Sequence, residues 1–72
     1  MRETPRQFLI DSAAAMMRRD GCSADAAINT VAGECKHYER GTLGRAMYDY
    51  FMACSDTAHG RLIATVTRKA GE

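Results

Sequence analysis

Tryptophan is absent from this 72-residue chain, proline occurs once and phenylalanine twice, so any core must be built mainly from aliphatic, alanine and methionine side chains. No apolar run approaches the ~18 residues of a membrane span, and a transmembrane helix is not expected. Charge of one sign is also missing. Ten Lys and Arg stand against nine Asp and Glu, for a net charge of +1, so no global field steers the chain toward nucleic acid or an acidic surface. Cysteine occurs three times, an odd number that does not suit a disulfide framework. Asp11 interrupts the only apolar stretch near the N-terminus, where a secretory signal would need continuity. Reduced thiols and a cytoplasmic location are the expectation.

Length is short as well, and residues 1–72 read as one domain without a separate catalytic module. With 46% hydrophobic and 26% charged residues, the composition is that of a folded domain rather than a disordered segment. A single core of this size rarely supplies more than ~3–5 kcal/mol, so an extra stabiliser is expected. With disulfides and metal both disfavoured, a homodimer is the favoured form.

The patterns that are present are helical. Thr4-Pro5-Arg6-Gln7 sets Thr at an N-cap, Pro at the first helical position and Gln at the third. Leu9, Ile10, Ala13, Met16 and Met17 then form one stripe of a 3.6-residue repeat, Arg18 and Arg19 suit a helix C-terminus, and Gly21 suits a left-handed exit. A helix is predicted over about 5–20. Ser23 is the next cap, and Ala27, Ile28, Val31, Cys35 and Tyr38 share a face, which predicts a helix over about 24–40 ending at Gly41. Gly33 within it can mark the close approach of another helix or a tolerated defect. Thr42 caps a third helix, over about 42–58, with Leu43, Met47, Tyr50, Phe51 and Cys54 as its stripe and Gly60 beyond its end.

Helices two and three would then be joined by almost no linker, as in a helical hairpin. Residues 61–69 are ambiguous between a short helix and a strand. Leu62, Ile63 and Val66 suit one helix face, whereas Ile63 to Thr67 are rich in β-branched residues. A lone strand would lack a partner in this chain, so the helix is preferred. The fold class read from these patterns is all-α, a compact three- or four-helix domain.

No pattern for catalysis is present: neither a glycine-rich phosphate loop, nor a paired-carboxylate signature, nor a nucleophile elbow. Cys22, Cys35, Cys54, His37 and His59 offer metal-ligand chemistry, but no close C-x₂₋₄-C pair occurs. Cys35 and His37 would point roughly 200° apart on a helix. Cys54 and His59 could meet across a helix end, yet two ligands do not make a site. Cys35 and Cys54 lie on apolar faces and read as inert, buried thiols, while Cys22, in the first loop, reads as the exposed one. No cofactor, metal or catalytic residue is expected.

Two helices separated by a short turn also suggest a DNA-binding helix-turn-helix. Against it, residues 42–58 contain Arg45 but also Asp49 and Asp56, a net charge of −1 where phosphate contact needs positive charge. Basic residues elsewhere, Arg18, Arg19, Arg61, Arg68 and Lys69, leave another surface for nucleic acid.

Two apolar residues fall outside the stripes. Phe8 and Met52 each lie about 140° from the centre of their helix's apolar face, and both would be exposed in a monomer. Single exposed hydrophobes are common. Met52, however, shares its face with Arg45 and with Tyr48 at the rim, a composition enriched in protein interfaces. The sequence therefore reads as a small, non-catalytic regulatory or inhibitory protein that binds a larger intracellular protein. Arg45, Tyr48 and Met52 form the expected contact surface, with Phe8 as a further candidate. A small DNA-binding transcriptional regulator is the alternative.

Overall fold

A computed structural model describes residues 3–72, and among them the secondary structure is entirely helical. Four helices follow in order: α1 (Pro5–Asp20), α2 (Ala24–Glu34), α3 (Leu43–Ala53) and α4 (Asp56–Ala70). All four begin in the same way. The hydroxyls of Thr4, Ser23, Thr42 and Ser55 accept the backbone N–H three residues on, at 3.1, 3.2, 3.2 and 3.1 Å, each satisfying one orphan donor of its helix.

Helix α1 has the predicted bounds. Gly21 leaves it at φ 70°, a left-handed conformation that glycine adopts without steric cost. Only half of the expected capping box forms, because the Gln7 amide donates to Asp11 at 2.9 Å instead of returning to the cap.

The other boundaries differ from expectation. Helix α2 ends at Glu34, not near residue 40. The N–H groups of Cys35, Lys36 and Tyr38 each bond the carbonyl three residues back, at 3.0, 3.2 and 3.2 Å, so the backbone tightens and turns away. A longer helix would have gained little, since Tyr38 is the only large apolar residue between Lys36 and Arg40. The near-absent linker is thus an eight-residue connection, 35–42, in which Gly41 turns the chain at φ 89°.

Helix α3 stops at Ala53. Cys54 and Ser55 are extended (ψ 131° and 168°), and Ser55 caps a new helix whose first turn holds Asp56, a favourable charge at that end. The last segment is therefore part of a 15-residue helix and not a strand. Its β-branched residues are accommodated: Val66 is buried, and the hydroxyls of Thr65 and Thr67 donate to the carbonyls of Arg61 and Ile63 at 2.9 and 2.8 Å.

Helix α1 packs against all three other helices, and α2 also touches α3 and α4. The largest fully buried side chains are Leu9, Ile10, Ile28, Met47, Leu62 and Val66. Ala13, Ala14, Ala24, Ala27 and Ala32 fill the space between them, small side chains that let helices pack closely where aromatic rings are scarce. At the corner between α3 and α4 the Phe51 ring meets the His59 ring edge-on, with centroids 5.9 Å apart. The His59 Nε2 lies 3.0 Å from Asp25 Oδ1 and ties the start of α4 to the start of α2. No described helix is long and apolar enough to cross a membrane.

Candidate partner-binding surface

Three large hydrophobic side chains stand exposed among the described residues: Tyr38 at 50%, Leu43 at 38% and Met52 at 62%. All three belong to α3 or the connection that precedes it. Met52 is where the helical repeat places it, on the outer face. Tyr38 and Leu43 are not, since the repeat puts both on buried stripes. Tyr38 escapes burial because α2 ends before reaching it, and Leu43 stands in the first turn of α3. A cap signal at Thr42 is visible in the sequence, but which side of the first turn meets the core is not.

Arg45 and Tyr48 also lie on this face, in a more tethered state than the repeat alone implies. The Arg45 side chain is only 29% exposed. Its Nε donates to Asp49 Oδ1 at 3.1 Å, its Nη1 donates to the Tyr38 carbonyl at 3.4 Å, and its guanidinium carbon is 5.9 Å from the centroid of the Tyr48 ring. One side chain thus links the connection, the helix and the aromatic rim. Tyr48 is half-buried, its ring resting on the core edge, as expected for a rim position. Beside this cluster lies an open groove of about 910 Å³, lined by Glu3, by Arg40 to Leu43 and by Arg45, Ala46 and Asp49. Its charged groups, two arginines and two carboxylates, balance.

Gly44 is the residue that sequence reasoning missed. A Cβ on Gly44 would stand 2.7 Å from Cε2 of Tyr38 and 3.4 Å from Cys35 Sγ, so only a glycine admits the ring there. Gly33, the glycine that had suggested close approach, has nothing within 4 Å of its missing Cβ.

Phe8, on α1, is less exposed than its place off the apolar stripe implies. It is half-buried and packs against the core, because α1 is flanked by three helices and the arc of its circumference that they cover is wider than a single stripe.

Compared with known protein families, with characterised proteins and with solved structures, the chain matches none. Function must therefore be read from the surfaces themselves.

The cysteines and histidines do not converge. Among the described residues no three His, Cys, Asp or Glu side chains gather where they could hold a metal ion. Cys54 and His59 turn to different partners, the thiol donating to the Tyr50 carbonyl at 3.4 Å and the imidazole facing Asp25. Cys35 is buried, and desolvation, with Glu34 nearby, raises its pKa above the usual 9.0, which disfavours the nucleophilic thiolate. Cys22 is not the exposed thiol of the sequence reading; it is half-buried and rests against the core.

Proposed function

We propose that this protein is a small, non-catalytic regulatory or inhibitory protein that acts by binding a larger protein inside the cell. Its contact surface is the outer face of α3, Met52, Tyr48 and Arg45, together with the connection at Tyr38 whose carbonyl Arg45 holds. The observation that carries this reading is that Met52, 62% exposed, shares the outer face of α3 with Tyr48 and with the Arg45 side chain that lies against the Tyr48 ring. A Met, aromatic side chains and a tethered Arg match the composition of binding hot spots. The chain is also proposed to form a homodimer, since a single core of this length is marginal. Its free thiols fit a cytoplasmic location.

A second reading, as a DNA-binding regulator, draws on a different place. Arg18 Nη1 donates to the Lys69 carbonyl at 3.2 Å, which brings the C-terminal ends of α1 and α4 together and groups Arg18, Arg19, Arg68 and Lys69. Basic residues also serve helix C-termini by offsetting the dipole, and Arg19 and Lys69 are paired with Asp20 and Asp11. The first reading is preferred.

Affinity capture from the source cell, with wild type compared with Met52→Ala and Arg45→Ala, separates the two. A protein retained by wild type and lost from both variants, at about 2 kcal/mol or more in affinity, supports α3 as the site. Retention of nucleic acid abolished by Arg18→Ala with Arg68→Ala favours the second reading. Equal capture by wild type and both α3 variants refutes the site.

A further inference from the structure

We infer that α4 exchanges between two copies of the chain: the junction of α3 and α4 straightens into one helix, and each copy's α4 docks on α1 and α2 of the other. The inference rests on the homodimer proposed above and gives it a form. The occupant is fixed by the seat, which already holds this helix. Leu62 and Val66 of α4 are 1% and 0% exposed. His59 Nε2 lies 3.0 Å from Asp25 of α2, Lys69 Nζ lies 3.6 Å from Asp11 of α1, and the Lys69 carbonyl accepts from Arg18 at 3.2 Å. Helix α4 packs on α1 and α2 and scarcely on α3, although α3 immediately precedes it. A second copy's α4 therefore meets the same partners, and no new complementary surface is needed.

The junction is suited to straighten. Only Cys54 and Ser55 separate the two helices, both are extended, at ψ 131° and 168°, and neither is a helix breaker. Across them the apolar residues keep step. In a single helix over residues 43–70, Met47, Phe51, Cys54, Ala58, Leu62 and Val66 fall within an arc of about 120°. The same sequence thus serves a continuous helix as well as the broken one, and a short connection between packed elements is where exchange is favoured.

Two local contacts hold the break: the Ser55 hydroxyl on the Ala58 N–H at 3.1 Å, and the Phe51 ring against the His59 ring at 5.9 Å. Straightening gives up both, since Phe51 and His59 then stand about 12 Å apart along the axis, and it restores the backbone hydrogen bonds that the two helix ends leave unmade. The His59–Asp25 pair persists, now between chains. With the seat of α4 the same in both forms, the junction and the protein concentration decide between them.

Sedimentation equilibrium up to millimolar concentration tests this on wild type, Ser55→Ala and Asp56→Pro, with far-ultraviolet circular dichroism to verify the fold of each. Ser55→Ala removes the cap and suits the continuous helix, so its dimerisation is expected to be at least about tenfold stronger than that of wild type. Asp56→Pro leaves the closed chain folded, because Asp56 is the first residue of α4 and Ser55 before it is already extended, the arrangement of Thr4 and Pro5 in α1. Inside a continuous helix the same proline clashes with the preceding turn, and dimerisation is expected to weaken at least about a hundredfold. A direct reading that needs no variant is isotope-filtered nuclear magnetic resonance on wild-type dimers of mixed labelled and unlabelled chains, where contacts between the His59 ring and Asp25 are expected between chains. Contacts found only within a chain overturn the exchange and leave a homodimer of another form, whereas a wild type that stays monomeric at millimolar concentration overturns both. A folded Asp56→Pro that dimerises like wild type, or a Ser55→Ala no stronger than wild type, also overturns the exchange. None of these arms involves the outer face of α3, so loss of the partner reading in the capture experiment registers separately.

Discussion

The ring of Tyr38 lies over Gly44, at a distance that leaves no room for a Cβ, and the carbonyl of Tyr38 accepts a hydrogen bond from Arg45 at 3.4 Å. The connection is thereby pinned to the first turn of α3 by its side chain and by its backbone. Gly44→Ala should push the ring outward. Better helix propensity, worth up to ~1 kcal/mol, offsets the lost ring packing, so stability should change by less than about 1 kcal/mol. The decisive measurement is by nuclear magnetic resonance: the contacts between the Tyr38 ring and residue 44 should vanish in the variant while the helical shifts of α3 persist.

Gly33 and Gly60 behave oppositely. Both lie within helices, with nothing within 4 Å of the missing Cβ. Ala at either position should raise stability by roughly 0.5–1 kcal/mol through a less flexible unfolded chain. Urea unfolding of the two variants measures it, and a loss at Gly33 would revive the close-approach reading.

Ser55 decides whether α3 and α4 are one helix or two. As an N-cap bonded to Ala58 N–H at 3.1 Å, its replacement by Ala should cost about 1 kcal/mol. In a continuous helix the same change would be neutral or stabilising. Thermal unfolding distinguishes the signs.

Met47 and Met52 sit five residues apart on α3, with exposures of 0% and 62%. Met47→Ala should destabilise by about 2–5 kcal/mol and Met52→Ala by less than about 0.5 kcal/mol. Comparable losses at both positions would mean that α3 is turned the wrong way about its axis.

Alkaline pH should weaken the fold. Burial raises the pKa of Cys35 above 9.0 and that of Tyr50 above 10.0, so the unfolded chain releases these protons before the folded one does. The stabilisation is complete below pH 9 and is lost as the pH rises through the unfolded and then the folded values. The thermal midpoint of wild type should therefore fall above pH 9, and Cys35→Ala should flatten the first part of that decline. A midpoint independent of pH up to 11, outside the ordinary thiol and phenol ranges of about 8.5–10, would contradict it.

What could be read directly from the sequence was local. Thr4, Ser23 and Thr42 cap their helices through bonds that span three residues, Pro5 opens α1 and Gly21 closes it, all interactions complete within one turn of chain. Met52 was legible for the same reason, since helical periodicity alone turns it away from Met47. Tertiary structure decided the rest. Phe8 is half-buried because three helices surround α1, and α2 ends at Glu34 where Cys35 enters the core. Residues 61–69 are helical because Leu62 and Val66 bury against a core supplied by distant residues, outweighing their β-branched neighbours. The Tyr38–Gly44 contact and the tether on Arg45 depend on how the connection folds back over α3. Such contacts join residues whose proximity no local propensity encodes, so only packing could choose among them.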